Sequence, residues 1–261
     1  MAKKTKYRVK KGRLVAAILI LCLLIGGCLY LIGHLGGSGH KTANKEFAPN
    51  CLKATEEAKK ASWNLLLVNP WNAIPEGYTV KTKEVTEMVN EQSFVDERIY
   101  DDLMDMMHDC AAAGHDPLIY SAYREHETQC KYFEDEIVMF SGDGVSEQEA
   151  YDKAAALVAV PGTSEHECGL ALDIVDLQIP YHNDDQENTD TTIWFHEHCW
   201  EYGFIIRYPK GKEDITGIEY EPWHYRYVGK DAARDMHESG QTLEEYLGKA
   251  EHGEKVKYEG K

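Results

Sequence analysis

The chain has 261 residues, 43% hydrophobic and 28% charged, enough for one compact domain plus appendages. Its formal net charge is −17, and setting aside the seven basic residues of positions 1–13 leaves −24 on everything after them. So acidic a body, with no later cluster of Lys and Arg, excludes nucleic acid and anionic lipid as partners.

Residues 14–33 (LVAAILILCLLIGGCLYLIG) carry no charge. About 20 helical residues span roughly 30 Å, the thickness of a bilayer's hydrocarbon core. The basic flank lies wholly on the N-terminal side, so the positive-inside rule predicts a cytoplasmic tail (1–13), a single-pass transmembrane anchor (14–33) and a body outside. A cleaved signal is the rival reading, because Ile25-Gly26-Gly27-Cys28 is similar to a lipoprotein cleavage box that would leave Cys28 lipidated. Residues 34–62 open on a stretch rich in Gly, Ser, Lys and Asn, the composition of a linker. Of the seven cysteines, five lie beyond the apolar run (Cys51, Cys110, Cys130, Cys168 and Cys199), and no C-x-x-C pair occurs. Neither a disulfide framework nor a cysteine zinc site is indicated.

Leu65–Val68 predicts a short buried strand, closed by Asn69-Pro70. Residues 84–113 carry apolar positions at helical spacing, including Ile99, Leu103, Met107 and Cys110, with Gly114 as C-cap. LIYSAY (118–123) predicts a strand, 124–140 a helix, and Ser146 with Glu149 a capping box for a helix ending near Val158. GLALDIVDL (169–177) alternates like a strand, Thr191 to Tyr202 predicts a helix stopped by Gly203, and 204–208 and 223–228 predict strands. Thr242 with Glu245 caps a last short helix before a polar tail, 248–261. Helices and strands mix without regular alternation, which favours an α+β domain with a small antiparallel sheet.

Three stretches carry chemistry. In SEHECGLALDI (164–174), His166 precedes a glycine and a strand on which Ala171 and Asp173 share a face, so a turn could bring His166 and Asp173 to one ion. In EPWHYRYVG (221–229), His224 offers a third ligand and Glu221 a general base. Pro222 disfavours a helix there, so Glu221 must reach the site from an extended or turning backbone. In SAYREHETQ (121–129), Arg124 and Gln129 follow a strand end, and a guanidinium suits a carboxylate or a polarised carbonyl. Taken singly, each signal is weak in a chain with 12 histidines, and a pair such as Trp223-His224 alone is more often core than site. His196 and His198, two apart in a predicted helix, face different ways and make no metal pair.

The combination is specific. S-x-Y-R with a following Gln, S-x-H-x-x-G-x-A-x-D and E-P-W-H occur in order, and over about residues 63–247 the chain resembles the VanY-type D-alanyl-D-alanine carboxypeptidases and related LD-carboxypeptidases of bacterial cell walls. The resemblance implies a small α+β zinc peptidase fold with one Zn2+ held by His166, Asp173 and His224. It further implies Glu221 as catalytic base, Arg124 as substrate holder and oxyanion stabiliser, and Gln129 and Ser164 as pocket lining, with Trp223 placed among the substrate contacts. The implied reaction removes the terminal D-alanine from peptidoglycan stem pentapeptides outside a bacterial membrane. The alternatives are L,D-carboxypeptidase action on tetrapeptides and a non-catalytic wall-binding module on the same fold. Cys168 holds a variable position of the pattern and is read as packing.

Overall fold

A computed structural model of the chain describes residues 62–258. The predicted cytoplasmic tail, transmembrane segment and nearly all of the linker lie outside the described residues. Among the described residues no helix is long and apolar enough to cross a membrane.

The elements run from a 3₁₀ turn (Trp63–Leu65) into a hairpin of β1 (Thr82–Val85) and β2 (Ser93–Asp96), then α1 (Tyr100–Ala112) and β3 (Pro117–Ser121). A helical pair follows, α2 (His126–Phe140) and α3 (Glu147–Leu157), then a 3₁₀ turn (Glu165–Cys168) leading into β4 (Ala171–Asp176). The rest comprises α4 (Asp190–His198), β5 (Phe204–Tyr208), α5 (Glu213–Thr216), β6 (Glu221–Tyr227), α6 (Lys230–Ser239) and α7 (Leu243–Tyr246). β3, β4, β6 and β5 form, in that order, one antiparallel sheet, the expected α+β arrangement.

Strand alternation gives this sheet two unlike faces. Leu172 and Ile174 of β4, with Tyr225 and Tyr227 of β6, join Leu103, Met106 and Met107 of α1 in the main core. Fully burying each such side chain contributes about 1.5–3 kcal/mol. The residues between them point the other way, and the register sets Ser121, Asp173 and His224 side by side across β3, β4 and β6. Ile205, Val228, Met236, Leu243 and Leu67 form a second cluster around β5, α6 and α7. Asp173 and His224 instead line an open cleft.

Several local expectations hold. β5 spans the predicted residues, Gly203 stops the preceding helical stretch with φ 91°, and Thr242 and Glu245 form a complete capping box. The helix predicted over 191–202 tightens after His198 into a 3₁₀ turn, Cys199–Tyr202. At α3 only half the predicted box forms: Ser146 accepts from the Glu149 amide, while the Glu149 carboxylate pairs with Lys153.

Two expectations fail. The helix expected over 84–113 begins only at Tyr100, because Asp96 accepts from the Arg98 amide in an Asx-type turn and its carbonyl from the Ile99 amide. Every apolar position cited for that helix lies at or after Ile99, and the residues before it form the β1–β2 hairpin. Leu66–Val68 joins no strand either. The carbonyls of Asn64 and Leu66 accept from the Arg226 guanidinium at 3.1 and 2.8 Å, so the start of this apolar run has carbonyls satisfied by a side chain and not by a neighbouring strand.

Candidate metal centre and substrate cleft

His166 sits in the Glu165–Cys168 turn, which Gly169 closes in the left-handed region (φ 69°). A Cβ at Gly169 would lie 3.1 Å from the Asp96 amide nitrogen, and that amide donates to the Gly169 carbonyl at 3.0 Å. Glycine therefore lets the turn press against β2 and aim His166 over the sheet. The His166 Nδ1 lies 2.8 Å from the Ala122 carbonyl. Nδ1 therefore carries the proton and donates it, leaving the Nε2 lone pair to face Asp173 Oδ2 at 3.4 Å. The other Asp173 oxygen lies 3.1 Å from His224 Nδ1.

One potential ligand atom from each of His166, Asp173 and His224 lies within 4.8 Å of the others, and all three residues are buried. Asp173 Oδ1 and His224 Nε2 have no hydrogen-bond partner among the described residues. Two imidazoles and a carboxylate converging at a cleft, with a buried oxygen unsatisfied, fit a divalent cation bound by three protein ligands with a position open to substrate. The charges agree. Burial opposes ionisation of Asp173, yet the three surrounding histidines hold its carboxyl well below the usual range. Burial disfavours the His224 imidazolium, but Asp173 and Glu165 outweigh it and raise its pKa to about 9. In the metal-free protein, protons on imidazole thus supply positive charge that a cation would supply instead.

Glu221 opens β6, as the proline beside it requires, with Oε2 3.4 Å from His224 Nδ1. Burial pushes its carboxyl up to about 8, with Asp173 adding to the rise and His224 opposing it. Arg124 donates to Gln129 Oε1 at 2.8 Å and Ser121 Oγ at 2.9 Å. Among the described residues it is the one Lys or Arg side chain lining the cleft, whose volume is about 790 Å³. Ser164 and Trp223 also line it. Gln129, expected as pocket lining, does not reach the cleft: it is fully buried behind Arg124, donating to the Ala159 carbonyl at 2.7 Å while accepting from the guanidinium. Its contact with substrate is corrected to support of Arg124.

Cys168 is buried in the main core and burial pushes its thiol up to about 12, the packing role expected of it. Cys110, Cys130 and Cys199 are likewise free and buried. His196 bonds the Pro222 carbonyl and His198 pairs with Glu201, so the two do not act together.

Three site residues carried no sequence signal of their own. His182 stacks on Trp223 with ring centroids 5.0 Å apart and sets Nε2 3.4 Å from Asp173 Oδ2. Tyr208 packs on the His224 ring at 4.8 Å. Glu165, one residue before His166, is fully buried with Oε2 3.7 Å from His224 Nε2.

Fold and site together are those of a metal-dependent hydrolase. The VanY family, D-alanyl-D-alanine carboxypeptidase, matches residues 92–230. A D-alanyl-D-alanine carboxypeptidase of Enterococcus faecalis is 37% identical over 213 residues, covering 81% of this chain and 75% of that one. The solved structure of VanYB in complex with D-alanine-D-alanine superposes with a TM-score of 0.65 at 38% identity, over 72% of this chain and 98% of that one. A variant of the vancomycin-resistance D,D-pentapeptidase VanY in complex with Zn(II) superposes with a TM-score of 0.63 at 38% identity, over 71% and 99% of the two chains. The chain belongs to the VanY family of D-alanyl-D-alanine carboxypeptidases.

Proposed function

We propose that this chain is a zinc-dependent D-alanyl-D-alanine carboxypeptidase that removes the terminal D-alanine from peptidoglycan stem pentapeptides. The observation that carries the reading is the convergence of His166, Asp173 and His224 beside Glu221, in a cleft lined by the Arg124 guanidinium. The Zn2+ would be held by His166 Nε2, the Asp173 carboxylate and His224 Nδ1. Bound there, it supplies Lewis acidity, polarising a carbonyl and lowering the pKa of water toward about 7. Glu221 takes the proton of the attacking water as it adds to the scissile carbonyl, and returns it to the amine of the departing D-alanine. Arg124 receives the substrate's carboxylate or the charge developing on the carbonyl oxygen, held in place by Gln129 and Ser121. Trp223 and Ser164 border the substrate.

The test is the full-length chain with a muramyl pentapeptide ending in D-Ala-D-Ala, followed by mass spectrometry. Loss of one alanine, abolished by chelator and restored by zinc, is expected. An intact pentapeptide beside a trimmed tetrapeptide would replace this reading with L,D-carboxypeptidase action, and zinc uptake without cleavage of either with a binding module.

Arg124→Lys keeps the charge and loses the fork. Charge-assisted hydrogen bonds contribute about 1.5–3 kcal/mol, so kcat/KM for the pentapeptide is expected to fall roughly 10–100-fold. An unchanged kcat/KM would remove Arg124 from the site.

The uncharged run 14–33 and its basic flank support a companion reading: the domain is tethered on the outer side of a bacterial membrane, where its substrate lies. Recovery of the full chain in the soluble fraction of its cells would sink it. Release by Cys28→Ala would favour the lipid-anchored form.

A further inference from the structure

We infer that Glu165 is a positioning residue that fixes which nitrogen His224 offers to the metal. This rests on the zinc reading above.

The Glu165 side chain is fully buried, and its two oxygens have different surroundings. Oε1 accepts from Arg207 Nε at 2.8 Å and Arg226 Nη1 at 2.6 Å. Both guanidiniums are engaged elsewhere as well. Arg207 also bonds Glu244 at 3.0 and 2.6 Å, and Glu244 takes the Asn69 amide at 2.9 Å. Arg226 also holds the carbonyls of Asn64 and Leu66. Two carboxylates and two guanidiniums thus form a neutral buried island that pins Glu165 by one oxygen. The other, Oε2, is buried with no hydrogen-bond partner among the described residues and lies 3.7 Å from His224 Nε2, itself buried without one there.

Two unsatisfied atoms of complementary type facing each other in a sealed interior form a pair that a small movement closes to hydrogen-bond distance. A carboxylate only accepts, so Nε2 keeps a hydrogen toward Glu165, and the proton that a metal displaces from the imidazole is the one on Nδ1. Nδ1 is the nitrogen facing Asp173 and Glu221, at 3.1 and 3.4 Å. A purely structural role for Glu165 accounts for Oε1 and the arginines; it gives no reason for Oε2 to be aimed at His224.

Glu165→Gln separates the two roles. The arginines are both donors, so they hold the amide oxygen on their side and turn the NH2 toward His224 Nε2. That favours the tautomer with hydrogen on Nδ1, where the metal must bind. The zinc Kd of the full-length protein, measured by competition with a chelating indicator, is expected to rise roughly 10–100-fold. Glu244→Gln disturbs the same ionic island without touching His224, and is expected to lower the thermal midpoint while leaving the zinc Kd in place. If E165Q does not fold, Glu165→Asp keeps the charge but shortens the reach to His224, and carries the same expectation. A folded E165Q (or, failing it, E165D) with wild-type zinc Kd overturns the inference, as does a Kd shift in E244Q equal to that of the Glu165 variant. Wild-type protein that binds zinc but leaves pentapeptide uncut overturns the carboxypeptidase reading alone, because the Kd comparison still decides the role of Glu165.

Discussion

Glu221→Gln is expected to bind zinc as the wild type does and to turn over pentapeptide about 10²–10⁴-fold more slowly, the usual contribution of a positioned general base. The amide keeps the shape of the carboxyl at the head of β6, where Glu221 pairs in register with Tyr208. It cannot accept a proton from water. The carboxyl is raised to about 8 by burial in the metal-free protein, and the acid limb of the wild-type pH–rate profile follows from its ionisation. The base works only when deprotonated, so the rate falls as pH drops through its pKa. A cation beside it favours the carboxylate and moves that limb below about 8. In Glu221→Gln the residual rate should lose this limb. The measurement is kcat across pH with zinc content determined on the same samples. A variant with near wild-type kcat would strip Glu221 of its role.

Much of this site was legible because its motifs are local. SEHECGLALD places a turn, a left-handed glycine and an alternating strand within ten residues, and the register then does the rest by setting Asp173 opposite His224. EPWH announces an extended backbone through its proline, and β6 includes it. What failed was governed by partners distant in the chain. Leu66–Val68 has the composition of a strand, but Arg226, about 160 residues later, takes the carbonyls a neighbouring strand would have taken. Gln129 sits in the right motif and at the wrong depth, since the packing of α2 against the segment around Ala159 decides which side of Arg124 it occupies. His182 lies in the loop after β4, where no periodicity or cap marks it, and its packing on Trp223 and Tyr120 brings it beside Asp173. Glu165 differs again. It lies inside the most specific motif, yet its significance comes from Arg207 and Arg226, which no spacing connects to it.

Asp173→Asn is expected to abolish stoichiometric zinc binding and, with it, turnover. Asp173 is the centre of the constellation: one oxygen faces His166 Nε2 and His182 Nε2, each at 3.4 Å, and the other faces His224 Nδ1 at 3.1 Å. Asparagine fills the same volume without the charge. Its NH2 would point at one of the nitrogens whose lone pair the metal needs, so the site loses an anionic ligand and gains a misplaced donor. Loss of a partner outside the ligand set weakens metal binding about 10–100-fold, and loss of the central anionic ligand should exceed that. Thermal unfolding with increasing zinc reads this directly. A ligand that binds only the folded chain raises its stability by RT ln(1 + [L]/Kd), so the midpoint of the wild type, and of Glu221→Gln, should climb with zinc while that of Asp173→Asn stays level. The two substitutions then separate the two tasks: Glu221→Gln keeps the metal and loses the chemistry, Asp173→Asn loses both. A zinc-dependent rise of wild-type size in Asp173→Asn would show that the metal is held elsewhere, and the whole assignment of the centre would fall with it.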